Sequence, residues 1–158
     1  MTIWLAISAS VILADQATKL LVLGTLELSE HVTVTPFFDL VLVFNPGAAF
    51  SFLADASGWQ RWFFVALAGV VSVWLLVLMR KHAHERWLPL GLALVLGGAL
   101  GNLIDRLLHG AVVDFLYFHI HEHYWPAFNV ADSAISVGVA LMLIDQFVAH
   151  GRADHASD

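Results

Sequence analysis

The chain has 158 residues, of which 59% are hydrophobic and only 13% charged, with a mean hydropathy of +0.79, whereas soluble domains carry about 25% charged residues. So short a chain cannot hide that excess in a water-soluble core, which makes the bilayer the expected solvent and residues 1–158 one integral membrane domain. A net charge of −6 argues against a nucleic-acid partner, and zero cysteines exclude a disulfide framework, a thiol nucleophile and thiolate metal sites.

A spanning helix needs about 20 mostly apolar residues. Four stretches qualify: 2–23, 59–79, 87–108 and 128–148. The first has no Lys or Arg before Asp15, so it lacks the positive n-region of a cleaved signal peptide and is read as a span. It carries Asp15 and Lys19 on one helix face, four residues apart. An ionisable group inside a span is a functional candidate by default, and an internal salt bridge is the bland reading of this pair.

The loop after this span, roughly 24–58, holds two strand signals. His31–Thr35 alternates and Phe38–Phe44 is a β-rich apolar run, closed by the turn Asn45-Pro46-Gly47. A small sheet lying on the membrane surface is expected, with Ala111–Phe118 as a further short strand. The linker after the second span holds Arg80, Lys81 and Arg86, whereas residues 109–127 contain neither Lys nor Arg. The positive-inside bias therefore predicts a cytoplasmic linker, both termini cytoplasmic and the sheet outside.

The third span ends in Gly97-Gly98-Ala99-Leu100-Gly101-Asn102-Leu103-Ile104-Asp105-Arg106. Gly97 and Gly101 let another backbone approach closely. Asn102 and Arg106 share a face, either as a structural network or with the Arg fork on a substrate carbonyl or lipid phosphate. Asp114 stands alone in the apolar run Val112–Phe118, and Asn129 and Asp132 share a face at the start of the fourth span. Asp145 falls near that span's other end and reads as interfacial.

The unusual polar groups other than Asp145 thus gather at one side of the membrane. Two carboxylates in a partly desolvated cleft share a proton, the working state of an aspartic protease. Asp114 and Asp132 are the expected pair. No HExxH or GxSxG motif is present. His119, His121 and His123 alternate as if lining one side of a strand, a weak metal signal, so neither metal nor cofactor is expected.

Five blocks in order carry a resemblance: Asp15-Gln16-Ala17-Thr18-Lys19, Asn45 through Ser51, Gly97 through Arg106, Val112-Val113-Asp114-Phe115, and Phe128-Asn129-Val130-Ala131-Asp132-Ser133. Together they resemble lipoprotein signal peptidase, signal peptidase II of the bacterial inner membrane. The resemblance implies an intramembrane aspartic endopeptidase with Asp114 and Asp132 catalytic, and supporting roles for Asp15, Lys19, Asn45, Gly47, Asn102, Arg106 and Asn129. It also implies the substrate: diacylglyceryl-modified prolipoproteins, cleaved N-terminal to the lipidated cysteine among membrane lipid. On physics alone two rivals stand: a small four-helix transporter with a carboxylate proton relay, and a non-catalytic assembly factor. Acids gathered at one face and the lack of an internal repeat count against the transporter.

Overall fold

The computed structural model describes residues 1–47 and 58–154; the expected motif positions 48–51 lie outside them. Among the described residues four helices are long and apolar enough to cross a membrane: α1 (Thr2–Thr25), α2 (Trp59–Lys81), α3 (Trp87–His109) and α4 (Val130–Asp154), the last through Val130–Phe147. Large apolar side chains such as Leu13, Val70, Val73, Trp74 and Phe147 stand exposed on the helix flanks. That inverted surface suits lipid, where every backbone group must be satisfied inside its own helix.

The third helix is central: α1, α2 and α4 each pack against it. Small residues allow the approach. A Cβ on Gly138 would lie 2.6 Å from the carbonyl oxygen of Gly91, and one on Gly91 would lie 2.7 Å from that of Gly138. Pro89 is tolerated because it sits in the first turn of α3, where its missing N–H has no intrahelical partner. Gly110 ends that helix in the left-handed conformation, φ 80°, donating its N–H to Arg106 O. The fourth helix begins at Val130 rather than 128, because Asn129 is its cap.

Towards the α2–α3 linker the interior is apolar, built on Leu75, Met79, Leu92, Ala93 and Leu96. At the opposite end the two longer connections fold together into one antiparallel sheet. Its strands are β1 (His31–Thr35), β2 (Phe38–Asn45), β3 (Val112–Ile120) and β4 (His123–Tyr124), in that spatial order. Val22 at the end of α1 packs with Leu42, Val113 and Phe115 beneath the sheet.

A bulge in β2 sets the direction of its last side chains. Leu40 pairs with Leu116, but Val43 pairs with Asp114, so β2 holds one extra residue between them. Asn45 is thereby set opposite Val112, on the same face as Asp114. Without the extra residue, the one-residue slip would turn Asn45 to the other face.

Candidate active site

The site rests on a buried ion cluster between α1 and α3. Lys19 Nζ lies 2.8 Å from Asp15 Oδ2 and 2.7 Å from Asp105 Oδ2, and the lysine side chain is 2% exposed. The sequence places Asp15 and Lys19 one turn apart, and helix packing adds Asp105 as second counter-ion. Gln16 Nε2 donates to Asp105 Oδ1 at 2.8 Å. Asp15 fits because residue 101 is glycine; a Cβ there would stand 2.6 Å from Asp15 Oδ2.

Both acids also fix backbone. Asp15 Oδ1 accepts the Ala131 N–H at 2.9 Å, placing an anion at the N-terminus of α4. Asp105 Oδ2 accepts the Val113 N–H at 3.0 Å, anchoring the start of β3. The cluster therefore positions the two elements that carry Asp132 and Asp114.

Two asparagines link the cluster to those carboxylates, and a third holds Asp114 from the other side. Lys19 Nζ donates to Asn102 Oδ1 at 3.1 Å, which leaves Asn102 Nδ2 to donate to Asp132 Oδ1 at 2.8 Å. Asn129 Oδ1 accepts the Asp132 N–H at 2.9 Å as the helix cap, while its Nδ2 donates to Asp114 Oδ1 at 2.7 Å. The same Nδ2 lies 3.2 Å from Asn102 Oδ1, joining the two amides. Asn45 Nδ2 donates to Asp114 Oδ2 at 3.0 Å, and Asn45 Oδ1 accepts the Gly47 N–H at 2.9 Å. Gly47 closes that turn with φ +100°, a conformation that favours glycine.

The two carboxylates open onto adjoining hollows. Asp132 lines one of about 630 Å³, whose rim runs along α4 through Ser133, Ser136 and Val137. Asp114 lines one of about 240 Å³ that shares Asn45, Pro126 and Ala127 with the first. Burial pushes Asp114 up to about 7; the hydrogen bond donated by the Asn45 side-chain amide opposes this and the Asp132 charge adds to it. A carboxyl that holds a proton near neutrality beside a second carboxyl is equipped for general acid–base work. Arg106 lies with its guanidinium 5.0 Å from the Phe64 ring centre, and its Nη1 donates to Asn102 O at 3.2 Å. Its Nε is buried without a partner among the described residues.

All nine expected site residues thus fall at one end of the bundle, and Asp145 lies 13 residues further along α4 from Asp132, about 20 Å at the helical rise. Three contributors escaped sequence reasoning: Asp105 as counter-ion, Gln16 as its donor and Phe64 beneath Arg106. A signal existed for the first, since Gly98, Gly101, Asn102 and Asp105 recur at helical spacing on one face of α3. Phe64 is recruited from another helix and left none. The histidine reading needs correction. His119 is the penultimate residue of β3, His121 sits in the turn with φ 55° and His123 opens β4, so the three do not line one strand face. Among the described residues no three His, Asp or Glu side chains group as a metal site.

A family profile described as signal peptidase (SPase) II matches residues 7–148. The lipoprotein signal peptidase of Azoarcus sp. (strain BH72) is 64% identical over 140 residues, covering 89% of this chain and 80% of that protein. The lipoprotein signal peptidase of Burkholderia mallei (strain SAVP1) is 54% identical over 143 residues, covering 90% of this chain and 86% of its own. Two solved structures of a bacterial membrane enzyme, at 2.3 and 1.9 Å resolution, match with TM-scores of 0.85 and 0.82. They are 30% and 31% identical, covering 96% and 92% of this chain and 92% and 93% of theirs. These likenesses set aside the transporter and the assembly factor. The chain belongs to the signal peptidase II family and is an aspartic peptidase of the membrane.

Proposed function

We propose that this chain removes the signal peptide from diacylglyceryl-modified bacterial prolipoproteins, cleaving N-terminal to the lipidated cysteine with Asp114 and Asp132 as the catalytic pair. One observation carries the assignment: the two carboxylates are tied to each other through the Asn102–Asn129 amides and line adjoining hollows. In the reacting state the pair holds one proton. The ionised carboxylate takes a proton from water as its oxygen attacks the scissile carbonyl carbon, and the protonated one donates to the carbonyl oxygen. The tetrahedral intermediate then collapses, the C–N bond breaks, and the leaving nitrogen takes up a proton from the pair. Water is the only co-reactant.

The remaining residues hold this geometry. Asn45, Asn102 and Asn129 fix the carboxylates, Asp15 and Lys19 fix Asn102 and α4, and Gly47 shapes the turn that aims Asn45. Arg106 brings its planar guanidinium to the same end of the bundle, where its fork can hold a substrate carbonyl. The rim along α4 runs from Asp132 into the membrane, a path on which a signal helix can lie.

The orientation is argued from charge. Arg80 and Lys81 end α2 and Arg86 closes the linker to α3, at the opposite end from the sheet. The positive-inside rule then puts the linker and both termini in the cytoplasm, and the site near the outer face of the inner membrane. Reporters fused after Lys81 and within residues 27–33 should read cytoplasmic and external; the reverse result would overturn the orientation. The activity is tested with purified protein and one precursor, with and without its diacylglyceryl group. Cleavage before the cysteine of the lipidated form alone is expected, and equal cleavage of both forms would refute the substrate assignment.

A further inference from the structure

A third hollow, of about 410 Å³, lies at the β3–β4 hairpin and takes no part in holding the carboxylates. Its walls are mostly apolar: Phe118, Ile120, Tyr124, Trp125 and Phe128, with His119 and His123 completing them. It adjoins the Asp132 hollow, with Trp125 and Phe128 in the wall of both. Ring contacts set its shape. Phe118 stacks on Phe128 at 5.9 Å and packs on Phe38 at 4.7 Å.

We propose that this hairpin cavity receives one acyl chain of the substrate's diacylglyceryl group, which rests on the reading of the chain as a peptidase of lipidated precursors. Three observations select an alkyl chain as occupant. First, a buried peptide segment would bring an N–H and a C=O per residue, each needing a partner; the cavity offers few. An alkyl chain needs no partner and gains from each methylene removed from water. Second, Asp114, Phe118 and Ile120 are alternate positions of one strand and share a face. At about 3.3 Å per residue, Phe118 lies roughly 13 Å and Ile120 roughly 20 Å along the strand from Asp114. These positions bracket the length of one chain, which fills half a hydrocarbon core of about 30 Å. Third, Ile120 and Trp125 are each 70% exposed and Tyr124 58%, the belt expected where a hairpin rests in the interface. A lipid tail can enter there without crossing water.

The test uses the purified full-length chain and two precursors with identical peptides, one carrying diacylglyceryl with sixteen-carbon chains (about one leaflet deep) and one with the shortest soluble chains. Wild-type protein should favour the long-chain form in kcat/KM. Ile120→Asp, which puts a charge on the cavity wall, should cut that preference at least five-fold, mainly through KM. Ile120 is largely exposed, so the substitution leaves folding intact. Val32→Asp, on the far edge strand, should leave the preference unchanged. A diazirine at the end of the substrate's acyl chain should label residues 118–125. An equal loss on both precursors, no loss, or labelling elsewhere would overturn the proposal. So would equal labelling by free phospholipid with the same diazirine, which would give the cavity to bulk lipid. A wild-type protein that favours neither chain length would overturn the proposal too, whereas equal cleavage of a third precursor without diacylglyceryl would instead defeat the prolipoprotein assignment itself.

Discussion

Lys19→Met is the most demanding perturbation of the site's foundation. The ammonium bonds Asp15 at 2.8 Å, Asp105 at 2.7 Å and Asn102 at 3.1 Å while only 2% exposed. Methionine keeps the volume and deletes the charge, leaving two buried carboxylates facing each other. Breaking a buried ion pair by removing one partner costs ~3–5 kcal/mol. At ~2–4 °C per kcal/mol for a chain of this size, Tm should fall by roughly 6–20 °C. Unfolding of the detergent-solubilised protein, followed through its six tryptophans, measures this directly. Asp105→Asn added to Lys19→Met should restore part of the loss, with a coupling of ~0.5–3 kcal/mol for groups in one network. Turnover should fall as well, by about 10²-fold, because Asn102 loses the donor that aims its amide at Asp132. A Tm drop below about 2 °C would show that the cluster does not carry this end of the bundle.

Asp114→Asn and Asp132→Asn should each lower kcat by at least ~10²–10⁴-fold, with the double variant little worse, while Asp145→Asn retains most activity. A folded single variant cleaving at the wild-type rate would end the aspartic reading. The pH–rate profile should be bell-shaped, and its alkaline limb should lie near 7, where burial has pushed Asp114. Stability carries the same signature: the native state keeps a proton at Asp114 that the unfolded chain loses near 3.8, so stability should fall as pH rises towards 7. Asp114→Asn should flatten that slope in urea or thermal titrations. Gly101→Ala should destabilise by ~1–3 kcal/mol by pressing a methyl against Asp15. Gly24→Ala, with nothing within 4 Å, should instead stabilise by about 0.4–1 kcal/mol. Equal effects of these two substitutions on Tm would refute the close-packing account.

Much of this protein is legible in its sequence because a bilayer imposes simple rules. Twenty apolar residues must form a helix, so four spans can be read from composition alone, and an acid with no nearby base in an apolar surrounding is a functional candidate, which draws attention to Asp114 and Asp132. The first strand can be read from the alternation of His31–Thr35 and the second from the β-rich run Phe38–Phe44 and its closing turn, one residue short of its observed end at Asn45. Periodicity is local, however, and the site is assembled from contacts between residues up to 116 positions apart. Only packing on α3 makes Asp105 a partner of Lys19 and lets Asp15 cap α4. The β2 bulge alone decides that Asn45 rather than Phe44 faces Asp114, since one inserted residue inverts every side chain after it. The hairpin at His121 likewise separates three histidines that an unbroken strand would have aligned. The sequence by itself determines which groups are too polar for their surroundings; the tertiary structure decides which of them meet, because a buried charge or amide is stable only where the fold supplies its partner.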